Sequence, residues 1–175
     1  MDATQLRELQ APLKDKYRSD PNAAVVTLRA QGSIDELGVA CKVDTGRAIV
    51  EAGLHPATGG SGLQACSGDM LLEALVACAG VTLKAVATAL EIDLKGATVR
   101  AEGDLDFRGT LGVDKTAPVG FREIRLTFDV DAGDAPQDKI DTLLKLTERY
   151  CVVYQTLRSP PPVEVELHRA AAAAG

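Results

Sequence analysis

Residues Met70–Leu90 read MLLEALVACAGVTLKAVATAL, and the fold turns on how this stretch is read. It is long and apolar enough to suggest a membrane span. It also carries Glu73 and Lys84, each costing roughly 2.5–3.5 kcal/mol at a bilayer centre, and no aromatic belt flanks it. The expected element is therefore a long buried central helix, with no membrane partner. On a 3.6-residue period almost every face of it is apolar, so it is expected to be buried all round. One small sheet covers only one side. The same helix from a second copy, about a two-fold axis, is the simplest cover for the other, which predicts an obligate homodimer.

The segments on either side give the architecture. Before the helix runs HPATGGSGLQACSG (55–68), too rich in Gly, Ser and Pro for a regular element. Ser67 is the expected N-cap, and Asp69 falls in the first turn, where the helix dipole favours a carboxylate. The helix is expected to run to about Glu91. Further upstream, 22–30, 37–43 and 47–52 are strand-like, with turn signals at Gln31-Gly32-Ser33 and Asp44-Thr45-Gly46. Downstream, 97–107 alternates cleanly, with Val99, Ala101, Gly103, Leu105 and Phe107 on one side. Residues 108–119 read as a hairpin loop, 121–130 as a second such strand, and 137–150 as a helix. An apolar run, 151–157, stops at Pro160-Pro161-Pro162, and 163–167 alternates as a last strand. Leu6, Leu9 and Leu13 mark an N-terminal amphipathic helix that Pro12 should break or kink. The expected domains are an extension over 1–20, one globular domain over 21–169 and a frayed tail over 170–175. The order predicts an α+β fold: mostly antiparallel sheets wrapped around a long buried central helix.

Composition narrows the function. Of the 175 residues 46% are hydrophobic and only 3% aromatic, with no Trp, which argues against a nucleic-acid stacking platform. The net charge of −6 argues against phosphate-backbone and anionic-membrane partners. There is no P-loop and no dinucleotide fingerprint, so no cofactor is expected. Cys41, Cys66, Cys78 and Cys151 form no CxxC pair, and His55 and His168 read as loop or surface residues, so no metal site is expected. The charged N-terminus lacks an apolar secretory region, and a cytoplasmic location is the default.

In a reducing compartment each cysteine is either inert filler or a reactive thiol. Cys78 has Ala74, Leu75, Val81 and Thr82 as face neighbours, which suits a small buried hydrophobe. Cys151 follows TERY and could mark the point where a long helix breaks into a short one, or be core filler. Cys41 reads as strand filler. Cys66 lies in the loop before the helix, where a thiolate would be stabilised, so packing and an alternative redox or resolving role both stand.

Taken together, SGDMLLEALVACAGVTL and, 73 residues from Cys78 to Cys151, ERYCVVYQTL resemble the two motifs of the OsmC/Ohr family, the osmotically inducible protein C and organic hydroperoxide resistance proteins. Leu71, Leu72, Ala74, Leu75, Ala77, Cys78, Thr82 and Leu83 match the first motif; Tyr150, Cys151, Val152 and Leu157 match the second. The resemblance covers about 23–168. It implies an intertwined homodimer with sheets around two central helices. It also implies a thiol-dependent peroxidase for organic or fatty-acyl hydroperoxides. Cys78 would be the peroxidatic thiolate and Cys151 the resolving thiol, with a dithiol such as a lipoylated protein as reductant. The family holds its thiolate with an Arg from the first strand region, oriented by a Glu ten residues before the cysteine. Arg29 fits the first position better than Arg47. At the second this chain has Gly68, with Asp69 the nearest carboxylate; Glu73 lies about 140° around the helix from Cys78.

Three functions follow: the peroxidase; a diverged member with weak or no peroxidase activity that binds a small apolar ligand or senses oxidation; and a purely structural dimeric module.

Overall fold

A computed structural model describes residues 2–19, 31–34, 40–44, 49–112 and 114–168. The expected strand over 22–30, Arg29 and Arg47 lie outside the described residues. The chain opens on α1 (Ala3–Ser19). A four-stranded sheet follows: β1 (Gln31–Ile34), β2 (Ala40–Asp44), β3 (Ile49–Gly53) and β4 (Ala65–Cys66). The first three strands are antiparallel neighbours, and β4 pairs parallel to β3. Gln31–Ser33, expected as a turn, belongs to β1, where Gln31 pairs with Asp44 and Ser33 with Lys42.

The central helix is α2 (Ser67–Ala89). It starts one residue earlier than expected. Cys66, not Ser67, is the N-cap, because its extended backbone (φ −84°, ψ 130°) is set by the pairing of β4 with Gly53. It also ends earlier, at a C-cap Leu90, and Glu91 takes a left-handed φ of 56°. The end thus reverses the chain within a few residues. The alternating segments then form the antiparallel pair β5 (Gly96–Leu105) and β6 (Phe121–Asp131), as expected. One bulge breaks the register, where Arg122 is the extra residue between Glu123, opposite Asp104, and Phe121, opposite Leu105. The connecting loop contains a helical turn, α3 (Phe107–Thr110), capped by Asp106, which accepts from the Arg108 N–H at 3.2 Å. Phe107 therefore leaves the strand line. Its ring stacks on His55, with centroids 4.9 Å apart. His55 lies in a loop, as expected, and is half-buried there; its Nδ1 accepts from the Ala57 N–H at 3.0 Å.

Two C-terminal helices close the fold: α4 (Gln137–Tyr150) and α5 (Val152–Arg158), separated by Cys151 alone. The expected last strand is absent. Residues 160–168 form no regular element, no described strand pairs with them, and Val163, Val165 and Leu167 are exposed. The Pro run removes backbone donors just before this stretch. At the other end α1 runs unbroken through Pro12. Pro12 and Glu8, whose carbonyl loses its helical donor, are both exposed, so water can take that place. Arg7 of α1 pairs with Glu91 at 2.7 Å, tying the extension to the end of α2.

Within this chain α2 is buried on one side only, the side that its own sheet and C-terminal helices cover. Leu75, Ala79, Leu83, Val86 and Ala87 form its buried stripe. Ala74, Ala77 and Val81 lie on the exposed side. By length and composition α2 could cross a membrane, yet its buried stripe packs on β5, α4 and α5. The core divides along the helix into two clusters. Leu83, Val86, Ala87, Ile92 and Leu143 make the first. Leu75, Ala79 and Cys151 make the second, with Cys78, Ile124, Leu126 and Tyr154 packed against it. The opposite face of β5–β6 is charged: Arg100 pairs with Asp129, and Arg125 with Asp104.

A candidate thiol site between the central helix and a helix break

Cys78 reaches the second cluster from the middle of α2. Cys151 reaches it from the break between α4 and α5. Its N–H closes α4 on the Thr147 carbonyl at 3.0 Å, and its carbonyl opens α5 by accepting from the Gln155 N–H at 2.9 Å. Its extended backbone (φ −73°, ψ 107°) makes the corner. A β-branched, apolar VV pair after a charged helix end folds this way because Val153 turns into the core while Glu148 and Arg149 stay in water. The corner carries the Cys151 side chain inward until it is 1% exposed.

The two thiols are free, share one cluster, and each shifts the other's ionisation. Burial acts on both, pushing a thiol upward because it penalises the charged form. At Cys78 this is outweighed. The backbone N–H of Val153, the Cys151 thiol, the Val152 N–H and the Thr82 hydroxyl together hold Cys78 below the ordinary thiol range. At Cys151 burial prevails, reinforced by the hydrogen bond to and the charge of Cys78, against the Tyr154 and Val153 N–H groups, and the thiol is pushed up. One sulfur is thus prepared to ionise and the other to keep its proton. A low-lying thiolate is a nucleophile, and a protonated thiol in contact with it can donate a hydrogen bond and later a proton.

The other residues singled out in the sequence lie elsewhere. Asp69 is exposed in the first turn of α2, about 13 Å along the helix axis from Cys78. Glu73 and Lys84 are exposed on α2. Cys66 is half-buried at the helix start. Cys41 sits in β2 opposite Ile34 and Ala52. His168 is exposed beside Glu166. The site also includes groups that the sequence reading did not single out: the Val152 and Val153 amides, and Thr82 as more than a motif match. Backbone donors leave no residue-type signal, and only the helix break before VVY hinted at them. On the far side of the cluster, Leu75, Leu126 and Tyr154 also line a groove of about 620 Å³ between β6, α4 and α5.

Comparison with known proteins agrees with this architecture. Residues 60–166 match the family described as OsmC-like protein. Among curated proteins no significant sequence match was found. Solved structures are similar in fold. An OsmC-like protein from Mycoplasma pneumoniae has a TM-score of 0.62 at 17% identity, over 77% of this chain and 89% of that one. An organic hydroperoxide resistance protein from Elizabethkingia anophelis has a TM-score of 0.61 at 17% identity, over 78% and 91%. An organic hydroperoxide resistance protein OsmC from Legionella pneumophila has a TM-score of 0.59 at 17% identity, over 78% and 92%. With more than half of its length matched, with its central helix and two small sheets, and at this low identity, the chain belongs to the OsmC-like family as a diverged member.

Proposed function

We propose that the protein is a cysteine-based peroxidase that reduces organic hydroperoxides. The observation that carries this reading is the placing of two free thiols, Cys78 and Cys151, in one apolar cluster, with Cys78 held down and Cys151 pushed up. In the first step the Cys78 thiolate attacks the distal peroxide oxygen. The O–O bond breaks, Cys78 becomes a sulfenic acid, and the alkoxide leaves as an alcohol after taking a proton. In the second step the Cys151 sulfur attacks the Cys78 sulfur and the hydroxyl leaves as water, forming a disulfide. An external dithiol, such as a lipoylated protein, reduces that disulfide by exchange and is itself oxidised.

The walls around Cys78 are apolar: Leu75, Ala79, Ala101 and Leu126 belong to its cluster. They suit an alkyl or fatty-acyl hydroperoxide better than hydrogen peroxide. Arg29 is the cation we assign to Cys78, and Asp69 the carboxylate that orients it. The uncovered face of α2 at Ala74, Ala77 and Val81 supports a homodimer in which a second copy covers it. We place the protein in the cytoplasm, where a dithiol supply keeps the pair reduced.

A second reading has its own observation. Gly68 offers no side chain where the family's orienting Glu is expected, and Asp69 is exposed. A member lacking that carboxylate could retain the dimer and thiols while binding an apolar ligand or sensing oxidation. Consumption of cumene hydroperoxide with dithiothreitol or dihydrolipoamide separates the two. The peroxidase reading expects turnover that Cys78→Ser abolishes. Equal turnover by the wild type and Cys78→Ser ends it.

A further inference from the structure

We infer that Thr82 is a switching hydrogen-bond donor to the reacting sulfur: its hydroxyl rests on the Cys78 carbonyl and rotates onto the Cys78 sulfur when the thiol ionises. The inference deepens the peroxidase reading and rests on it for its catalytic purpose.

Thr82 lies one helical turn beyond Cys78, and its partly buried Oγ1 donates to the Cys78 carbonyl oxygen at 2.8 Å. As the i+4 residue on the same helix face, Thr82 leans back over the turn that carries the Cys78 side chain, and its hydroxyl is among the groups that lower the Cys78 thiol. It carries a single proton and cannot serve both acceptors. Two facts decide which it serves. First, the Cys78 carbonyl also receives the regular helical N–H of residue 82, so it keeps a partner when the hydroxyl turns away. Second, a thiolate accepts a charge-assisted hydrogen bond, roughly twice as strong as a neutral one. Threonine in a helix has two accessible side-chain rotamers for this exchange. With a neutral thiol the hydroxyl rests on the carbonyl, and with a thiolate it turns to the sulfur. Arg29, the cation assigned to Cys78 above, lies outside the described residues; among the described residues few further titratable groups face the sulfur. β5 and β6 present Val99, Ala101, Ile124, Leu126 and Phe128 to this cluster, none of them ionisable. From the α4–α5 side the titratable groups are Cys151 and Tyr154, and Cys151 is the one that acts on the Cys78 sulfur. Glu73 and Lys84 of α2 point to solvent.

The test is the pH profile of Cys78 alkylation by iodoacetamide in the full chain, read by peptide mass mapping. Thr82→Val keeps the shape and removes the donor. It should move the midpoint up by roughly one pH unit and slow alkylation at neutral pH about 5- to 10-fold. Thr82→Ser keeps a donor and should stay within about twofold of the wild type. Should the Val variant fail to fold, as judged by circular dichroism, Thr82→Ala takes its place with the same expected shift. A donor-free profile superimposed on that of the wild type overturns the inference. So does a Ser variant shifted as far as Val, since packing rather than the hydroxyl would then be responsible. Alkylation needs no peroxide, so a chain that consumes no hydroperoxide yet shows the shift loses the peroxidase reading and keeps this one.

Discussion

Cys78 packs against the buried cluster that holds Cys151, yet their environments move the two thiols in opposite directions. Cys151 contributes to holding Cys78 down, and the hydrogen bond and charge of Cys78 push Cys151 up. The two effects are one interaction seen from its two ends. Cys151→Ala should therefore move the alkylation midpoint of Cys78 upward, and Cys78→Ala should move that of Cys151 downward. In the wild type, Cys78 should be labelled first as pH rises, and Cys151 only at higher pH. Labelling in the reverse order would contradict the assigned roles.

Gly68 is open to a side chain. A Cβ there would lie 3.5 Å from Phe121 Cζ and 3.6 Å from both Leu105 Cδ1 and Cys66 Sγ, which is ordinary contact. Gly68→Glu should fold at least as stably as the wild type, because glycine inside a helix costs up to about 1 kcal/mol relative to other residues. If a carboxylate at this place is what the active family members use, hydroperoxide turnover should rise. A stable variant with unchanged turnover would separate this chain's chemistry from that carboxylate.

Gly103 is closed. Its Cβ would fall 2.5 Å from Phe121 Cε1, because the Phe121 ring lies across the strand over this glycine. Gly103→Ala must push the ring aside and should destabilise the fold by about 1–3 kcal/mol, measured by urea unfolding. Adding Phe121→Leu should recover part of the loss. A single variant as stable as the wild type would show that the ring moves freely.

Asp106 is a pH-sensitive brace of the loop after β5. Chiefly through its side-chain bonds to Arg108, its carboxyl is held down to about 2. A group lower in the folded than in the unfolded state stabilises above the ordinary carboxylate range, and that contribution is lost as pH falls through its folded value. Asp106→Asn should lower Tm at neutral pH and flatten the acid side of the Tm–pH curve between about 4 and 2. An unaltered acid limb would assign the acid sensitivity to other groups.

How much of this was legible in the sequence follows from which forces leave a pattern. Alternation in 97–107 and 121–130 placed β5 and β6 because one face is buried and the other wet, although β5 stops at Leu105 and Phe107 starts a helical turn. The bounds of α4 were legible for the same reason. The start of α2 was misjudged because pairing between Gly53 and Cys66 overrode the capping preference of Ser67. Val163–Leu167 has strand alternation, but a strand also needs a neighbour, and the described chain supplies none. Pairing of the two cysteines came from motif resemblance, since a separation of 73 positions carries no local signal. The amides of Val152 and Val153 could not be read from residue types at all.

The most direct measurement is mass mapping of the reduced protein after one equivalent of cumene hydroperoxide. The account predicts a disulfide between Cys78 and Cys151 in the wild type, and a trapped sulfenic acid on Cys78 in Cys151→Ser. Oxidation that begins at Cys66 or Cys41, or a Cys78 thiol that survives unmodified, would contradict it.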